Sequence, residues 1–430
     1  MTIALISFAS IFVLLALGVR LAVALGAVGF FGLTAIIGPN AAGSMLAQTA
    51  FDTANSYTLA VLPLFLFMAN LIARSGIASA LYEASNAVLG RVRGGLSMAT
   101  VAGCAGFGAV CGSSLATAAT MGSVAMPEMK RFGYDSGLAT GSVAAGGTLG
   151  ILIPPSIVLV IYGTITEQSI GDLFLAGILP GILGAVLYIA AIMIAVRLYP
   201  HLAPSTEGMV LPSRRAALLG VWPVLVLFSV VIGGLYLGIF SATEAAGIGA
   251  AGALLLGLLR GKLSSNEILQ AALDAAVLTA VLLFVLIGAL LFSNVMIYSG
   301  FSAMLSGLVQ SIGVTPILII VAIVVVYLVL GCVFDSLAMM LLTVPLFAPL
   351  VADLGYDLVW FGIVVVVAIE FGMISPPIGM NLFIIRSLNP GIGLSTIYRG
   401  IVPFLLADFV RLALLIWLPA ITLVLPYTTK

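Results

Sequence analysis

The sequence predicts an all-α polytopic membrane protein built as an inverted repeat, with two re-entrant helical hairpins and two broken helices. Of its 430 residues, 63% are hydrophobic and only 7% are charged. The apolar residues form blocks that approach the ~20 residues needed by a membrane helix, and four blocks are interrupted by a polar or proline-containing break. This composition excludes a soluble globular protein. The 15 basic and 15 acidic residues balance, so no basic face for nucleic acid is expected.

The uninterrupted apolar blocks predict the framework of the molecule. We expect one membrane domain over residues 1–430, with scaffold helices in 1–93 and 175–295 and a C-terminal helix in 400–430. The individual crossings are predicted at residues 3–17, 22–37, 57–73, 175–198, 217–236, 241–259, 270–295 and 400–425.

The four interrupted blocks predict the transport elements, which occupy 94–174 and 314–385. Residues 97–129 and 314–351 are too long for one crossing, and each contains a polar stretch, "CGSS" and "CVFDS" respectively, which predicts a re-entrant hairpin. Residues 137–163 and 358–385 each carry two consecutive prolines. Proline removes a backbone donor and clashes with the preceding turn, so these blocks predict broken helices. The helix breaks are placed at Pro154, Pro155, Pro376 and Pro377.

The hairpins and broken helices form two copies of one unit. An ungapped shift of 222 residues superimposes Ser114-Leu-Ala on Ser336-Leu-Ala and one proline pair on the other. When thirteen of the fifteen basic residues are placed on the cytoplasmic side, five crossings separate the two hairpins, so the second copy is inverted. Inverted repeats with broken helices near the membrane midplane are typical of secondary transporters.

The breaks predict a polar site within the membrane. Unpaired backbone groups in hydrocarbon cost several kcal/mol, so irregular backbone persists only where it is buried in protein or lines a polar cavity. Carbonyl groups around residues 150–153 and 372–375 suit a hard cation such as Na⁺, and the polar hairpin tips add further ligands. A proline pair can also simply kink a helix, and a Ser or Thr can bond to its own preceding turn. Two equivalent breaks beside two polar tips favour a site.

Acidic residues inside the predicted crossings are costly and are interpreted individually. Asp335, at the second tip, is expected to bind an ion or to position the tip. Glu370 either contacts the site or neutralises a neighbour elsewhere in the bundle. Asp408 and Arg411 are three residues apart on one helix and are expected to pair with each other.

The remaining reactive residues argue against an enzyme or a resident metal site. Cys104, Cys111 and Cys332 lie in apolar sequence without metal-ligand spacing and are interpreted as packing residues. His201, the single histidine, lies in a polar loop. Glu244 follows a Ser-x-x spacing that is typical of a helix cap.

Five sequence blocks resemble the large membrane (M, or DctM-like) subunit of tripartite ATP-independent periplasmic (TRAP) transporters. They are "GAVCGSSLATAATMGSVAMPEM", "GILIPPSIVLVIYG", "SATEAAGIGAAGALL", "VFDSLAMMLLTVPLFAPL" and "GMISPPIGMNLFII". The resemblance implies an elevator-type, Na⁺-driven importer in the bacterial inner membrane, surrounded by lipid. It also implies a small four-helix membrane (Q) subunit as a separate chain and a periplasmic substrate-binding (P) protein. No P-loop for ATP is present in the sequence.

The resemblance also implies the site residues. Two departures concern oxygen ligands: Ser375 stands where many members have threonine, and Cys111 stands where serine is common. The expected substrate-binding residues are Ser113, Ser114, Thr117, Thr148, Asp335 and Asn381. The expected Na⁺-binding residues are Gly112, Ser114, Gly150, Ile153, Pro154, Ser156, Asp335, Ser336, Gly372, Ser375 and Pro376.

The function expected from these observations is Na⁺-coupled import of an organic acid, such as a C4-dicarboxylate, sialic acid or a similar carboxylate, delivered by the binding protein. The alternative is a stand-alone Na⁺/divalent-anion symporter that works without a binding protein. An intramembrane hydrolase would require a serine with histidine or lysine, or paired aspartates, at membrane depth. We therefore expect no enzyme activity.

Overall fold

A computed structural model describes residues 2–204, 213–301, 304, 305, 307 and 315–428, and every regular element in these ranges is a helix. The expected ranges 1–93, 175–295, 314–351, 314–385 and 400–430 each include residues outside this part of the chain, and the expected single domain 1–430 contains all of them. The first half contains α1 (Thr2–Ala16), α2 (Leu21–Ile37), α3 (Pro39–Ala54), α4 (Val61–Arg74), α5 (Ile77–Leu89), α6 (Gly95–Cys111), α7 (Ser114–Arg131), α8 (Ser136–Thr148), α9 (Ile157–Thr166) and α10 (Ile170–Leu198). The second half contains α11 (Arg214–Tyr236), α12 (Ala242–Leu259), α13 (Ser265–Tyr298), α14 (Pro316–Gly331), α15 (Ser336–Asp353), α16 (Leu358–Met373), α17 (Met380–Leu388), α18 (Leu394–Trp417) and α19 (Ala420–Thr428).

Six of the described helices are long and apolar enough to cross a membrane: α10, α11, α12, α13, α15 and α18. The count becomes seven if α3 and the chain from Thr58 to Arg74, which are bent by 54° relative to each other, form one span. A multi-pass membrane protein is the fold that these helices support.

The observed helices differ from the prediction in three places. The sequence did not predict α3, which carries Asn40, Gln48 and Asp52 among its 16 residues, or α5, which is amphipathic and only 13 residues long. The crossing expected at 400–425 is two helices, because α18 ends at Trp417 and α19 starts at Ala420, on either side of Pro419.

The helix bounds repeat at the interval expected from the sequence. A shift of α7 by 222 residues gives 336–353, which are the bounds of α15. The same shift brings α6, α8, α9 and α10 onto α14, α16, α17 and α18 within a few residues at each end. The caps correspond as well, since Asp135 and Asp357 each accept two backbone hydrogen bonds at 2.8 and 3.0 Å from the first turns of α8 and α16.

The helices pack in two groups. In the first group, α2 packs along α13 and α4 packs along both α12 and α13. In the second, α8 packs against α6, α7 and α18, and α16 packs against α14, α15 and α18. The long helix α10 contacts α6, α8, α9, α16 and α18 extensively but touches α11 only slightly, so α10 belongs with the second group. Contacts of α4 with α6 and α9, and of α13 with α15, join the groups.

Candidate functional site

The first tip, residues 112–113, reverses the chain between α6 and α7 in two residues. Gly112 has a left-handed backbone (φ 65°), which a glycine adopts at little cost. Ser113 then caps α7, and its Oγ accepts a 3.4 Å hydrogen bond from the backbone N–H of Ala116. The polar stretch "CGSS" therefore forms a tight turn that ends one helix and begins another.

The first break, residues 149–156, separates α8 from α9. A short 3-10 turn follows α8, and Ser156 caps α9 by accepting a 3.3 Å hydrogen bond from the backbone N–H of Leu159. The Ser156 hydroxyl also donates to the carbonyl of Ile151. The hydrogen-bonding groups of the break are therefore partly satisfied by its own serine, as expected for irregular backbone that is buried in protein.

The first tip lies directly on the first break. A Cβ added at Gly108 would lie 2.5 Å from the Cα of Gly150, and one added at Gly112 would lie 2.8 Å from the carbonyl oxygen of Pro155. Only glycine allows the two backbones to approach this closely.

Thr117 provides an uncommitted oxygen beside this contact. Its side chain is fully buried with the Cys111 thiol as its polar side-chain neighbour, and its Oγ1 makes no hydrogen bond to an oxygen or nitrogen atom of the described structure. A Cβ added at Gly150 would lie 2.6 Å from this Oγ1 and 3.1 Å from the carbonyl oxygen of Ser113. A hydroxyl and a carbonyl oxygen therefore converge on Gly150, and oxygen atoms are the type of ligand that a hard cation such as Na⁺ prefers.

The second tip (residues 332–335) and the second break (residues 374–379) repeat this arrangement. A Cβ added at Gly331 would lie 2.8 Å from the Cα of Gly372. The carbonyl of Cys332 accepts a 3.2 Å hydrogen bond from the N–H of Gly379, and Ser375 Oγ donates to the carbonyl of Phe371 at 2.7 Å. The two proline pairs, one in each break, both have a cis peptide bond.

Asp335 positions the second tip. Its Oδ1 accepts hydrogen bonds of 2.9 Å from the backbone N–H groups of Leu337 and Ala338, so it caps α15. This is one of the two roles expected from the sequence, and ion binding by Asp335 stays a prediction.

Asn381 connects the two repeats. It is fully buried near the start of α17, and its Nδ2 donates to Ser114 Oγ at 2.7 Å and to the carbonyl of Ala144 at 3.1 Å. Its Oδ1 makes no hydrogen bond within the described residues. The predicted residues Ser114 and Asn381 are thus in direct contact although they are 267 positions apart.

A cavity of about 230 Å³ lies between the two tips and the helices α4 and α13. Its wall includes the first turns of three helices: α7, α9 and α15. The volume is below the range usual for drug-sized ligands and suits a small molecule. The lining residues are Leu66, Ala69, Asn70, Ala73, Cys111, Gly112, Ser113, Ala116, Thr120, Ile151, Ile157, Val158, Leu278, Leu282, Ser336 and Leu337.

The predicted site residues divide between this cavity and the protein behind it. Gly112, Ser113 and Ser336 line the cavity. Thr148 is fully buried elsewhere, with its Oγ1 3.3 Å from the hydroxyl of Tyr188 and donating to the carbonyl of Ala145 at 2.7 Å. The sequence did not point to Asn70, which lines the cavity from α4 and whose only sequence indication was a polar residue in an apolar block.

The charged residues inside the bundle form the following contacts. Arg411 Nη2 lies 2.8 Å from Asp408 Oδ1, which confirms that pair. Arg411 also donates to Glu370, so Glu370 neutralises a neighbour in the bundle. Glu244 forms the expected capping box with Ser241 at the start of α12. Among the residues described, no cluster of His, Cys, Asp and Glu is arranged to hold a metal ion.

Comparisons with known proteins match the chain over nearly its whole length. The model of the family described as "Tripartite ATP-independent periplasmic transporter, DctM component" matches residues 8–421. The C4-dicarboxylate TRAP transporter large permease protein DctM of Pseudomonas aeruginosa is 36% identical over 384 residues, which cover 89% of each chain. The sialic acid TRAP transporter large permease protein SiaM of Vibrio cholerae is 30% identical over 402 residues, which cover 92% of this chain and 93% of that one.

A solved structure supports the fold. The YdaH transporter of Alcanivorax borkumensis aligns with a TM-score of 0.65 at 16% sequence identity, over 88% of each chain. At this identity the likeness concerns the fold alone.

Proposed function

This chain belongs to the DctM family of TRAP transporter large permease subunits, and from that premise we propose that it imports an organic acid together with Na⁺. The observation that carries the proposal is the cavity between the two tips, which is walled by the starts of three helices. The proposed substrate class includes C4-dicarboxylates, sialic acid and similar carboxylates. The named relatives transport C4-dicarboxylate and sialic acid, so membership of the family does not select one acid.

The anion is proposed to bind at the helix starts. The first turns of α7, α9 and α15 line the cavity, and the wall contains no charged residue. The N-terminus of a helix carries a partial positive charge, which favours a carboxylate, and the N–H groups that the capping side chains leave unpaired can donate to it. Ser113, Thr120, Ser336 and Asn70 supply the remaining polar groups of the wall.

Na⁺ is proposed to bind behind the tips, where each tip meets its break. Thr117 Oγ1 and the Ser113 carbonyl converge on Gly150, and the equivalent contact at Gly372 lies beside Ser375 and the Pro376 carbonyl. Na⁺ bound there would supply positive charge immediately behind the helix starts that face the cavity. Coupling follows because the anion then binds more tightly to the Na⁺-loaded protein.

Transport is proposed to occur by an elevator motion of the second group of helices along the first. The two helix groups meet at the cavity wall, which supports this division. Because α10 and α18 pack with the broken helices, we propose that both belong to the moving body. This boundary differs from the one expected from the sequence, which assigned residues 175–295 to the scaffold.

The proposed assembly contains two further proteins. Large permease subunits of TRAP transporters work with a small permease component and a substrate-binding component. We propose a small four-helix membrane subunit as a separate chain, a periplasmic binding protein that delivers the acid, and a location in the lipid of the bacterial inner membrane.

The test is uptake of labelled organic acids into proteoliposomes that contain this chain, its small subunit and its binding protein. The panel includes succinate and sialic acid, with an inward Na⁺ gradient or an equal K⁺ gradient. The proposal predicts uptake that requires both Na⁺ and the binding protein. Uptake that persists without the binding protein would identify the stand-alone symporter instead, and uptake that is equal in Na⁺ and K⁺ would refute Na⁺ coupling.

A further inference from the structure

Three charged side chains are completely buried together behind the breaks. Glu370 of α16 and Asp408 and Arg411 of α18 have no solvent-exposed surface. Arg411 Nη2 contacts both carboxylates. Ionisable groups inside a membrane protein are costly, and the proposed cation and anion sites do not use these three. Their retention requires another explanation.

The cluster extends to the first repeat through Tyr188 of α10. The Tyr188 hydroxyl donates to Asp408 Oδ2 at 2.6 Å, and its oxygen lies 3.3 Å from Thr148 Oγ1 at the end of α8, where it can accept the Thr148 proton in place of the Ala145 carbonyl. The ring of Tyr188 also lies under the guanidinium of Arg411, 5.7 Å from its Cζ to the ring centroid. A continuous series of polar contacts therefore runs from Thr148 through Tyr188, Asp408 and Arg411 to Glu370.

The two ends of this series are equivalent positions. Thr148 precedes Gly150 by two residues, Glu370 precedes Gly372 by two residues, and the 222-residue shift superimposes one pair on the other. The helices between the ends, α10 and α18, are also equivalent at this shift. The series thus joins the first break to the second through a pair of helices that are equivalent in the two repeats.

Arg411 of α18 lies so close to α10 that no space is left between the guanidinium and the α10 backbone. A Cβ added at Gly184 of α10 would overlap Arg411 Nη1. The guanidinium is therefore seated against the backbone of α10, and its two carboxylate partners hold it from the other side. A displacement of the second break has to move this group or break a buried ion pair, and a displacement of the first break has to break the contact between Thr148 and Tyr188.

We propose that Thr148, Tyr188, Asp408, Arg411 and Glu370 are positioning residues that hold the two breaks at a constant separation, so that the two Na⁺ sites respond as one unit. The inference rests on the proposed Na⁺ sites at the breaks. Ordering of one break by its ion then orders the other through the polar series, which is positive cooperativity between the ions. Loosening of the series lowers both the apparent Na⁺ affinity and the cooperativity.

The experiment compares Tyr188→Phe with Tyr327→Phe in the purified membrane complex. Tyr188→Phe removes the hydroxyl that bridges the repeats and keeps the ring against Phe404. Tyr327→Phe is the matched control, because this equally buried hydroxyl of α14 accepts, within the described part of the chain, a 2.7 Å hydrogen bond from Thr343 of α15, which belongs to the same repeat. Equilibrium binding of radioactive Na⁺ is measured over a range of concentrations, and hydrogen exchange is followed in peptides covering each break.

We expect Tyr188→Phe to raise the half-saturating Na⁺ concentration about fivefold or more and to move the Hill coefficient toward one. Hydrogen exchange should rise in both breaks together, and Tyr327→Phe should match the wild type in each measurement. Glu370→Gln keeps an oxygen that accepts from Arg411 and should retain more cooperativity than Glu370→Leu.

Three results would overturn the inference. Wild-type affinity and Hill coefficient in folded Tyr188→Phe would remove the coupling role, as would faster exchange in one break only. Non-cooperative Na⁺ binding by the wild type would refute the inference and leave the Na⁺ sites intact. Absence of any Na⁺ binding by the wild type would instead refute the proposed function on which the inference rests.

Discussion

Thr117 is a residue for which a role in ion binding can be distinguished from a role in packing. Its hydroxyl is buried without a hydrogen-bond partner in the described structure, although burial of an unpaired hydroxyl is unfavourable. Other buried threonines bond to the preceding turn, as Thr100 does with the carbonyl of Leu96 at 2.8 Å. An unpaired hydroxyl that points at a helix break therefore has a cost that ion binding would offset.

We predict that Thr117→Val lowers the apparent Na⁺ affinity about tenfold, which corresponds to about 1.4 kcal/mol. Valine has the same shape and removes an unpaired polar group, so thermal stability should stay equal or rise. Thr100→Val is the control, because Thr100 lies in α6, on the other side of the first tip from Thr117, and this variant should keep the wild-type Na⁺ affinity. Na⁺-dependent uptake and thermal unfolding are measured on all three proteins. Unchanged Na⁺ dependence in Thr117→Val would assign Thr117 to packing alone.

Single residues were predictable from the sequence where a chemical break marked them. Ser114 and Asn381 stand beside the "CGSS" turn and the second proline pair, and the structure brings these two side chains into contact. The direction of Thr148 was not predictable, because it depends on the rotation of α8 relative to α10. Asn70 was overlooked because its helix was interpreted as scaffold, and only the packed structure shows that α4 forms a wall of the cavity.

At the scale of elements, the helix that leads into each tip packs against the neighbouring break through a contact between two glycines. Gly108 meets Gly150 in the first repeat, and Gly331 meets Gly372 in the second. No side chain intervenes, so the backbone of each break lies directly against the neighbouring helix. If Na⁺ binds at the breaks as proposed, a change in these contacts alters helix packing and ion binding together.

We predict that Gly108→Ala destabilises the protein by about 1–3 kcal/mol and weakens Na⁺ binding, because the new methyl group overlaps the backbone of the break. Gly220→Ala is the matched control, since nothing lies within 4 Å of its added Cβ. Unfolding is followed with a thiol-reactive dye that reports on the fully buried Cys104, in a background with Cys111→Ser and Cys332→Ser. Equal unfolding temperatures for Gly108→Ala and Gly220→Ala would contradict the close contact.

The elements were predictable to the extent that they are apolar or interrupted. The proline pairs and polar tips located all four interrupted helices, because these residues have strong local effects on the backbone. Helices α3 and α5 were not predicted, because a search for long apolar blocks does not detect short helices that contain polar residues. Their stability comes from packing against neighbours, which is a property of the tertiary structure.

At the scale of the whole molecule, the cavity lies at the boundary between two groups of helices. Ala69 of α4 and Ala116 of α7 line it from the two sides. If the second group moves along the first during transport, these two residues separate and approach in each cycle. Arg74 and Asp274, by contrast, form an ion pair of 2.7 Å within the first group.

We predict that cross-linking Ala69→Cys to Ala116→Cys with a short bifunctional thiol reagent reduces uptake to background, and that a reductant restores it. The three native cysteines are replaced by serine in this protein. The pair Arg74→Cys and Asp274→Cys is the control, and its cross-link should leave uptake unchanged because both residues belong to one body. Full transport by the cross-linked Ala69→Cys and Ala116→Cys protein would rule out the elevator motion between these groups.

The contacts between the repeats join residues that are synthesised at different times. Ser114 cannot form its hydrogen bond with Asn381 until 267 further residues have been added, and Tyr188 cannot bond to Asp408 until 220 have been added. At ~5–20 residues per second, translation leaves the first polar tip without this partner for roughly 13–50 s. During that interval the nascent first repeat holds unsatisfied polar groups in the lipid. A chain that stops before α17 therefore lacks Asn381, and the first tip gains this hydrogen bond only when nearly the whole protein has been made.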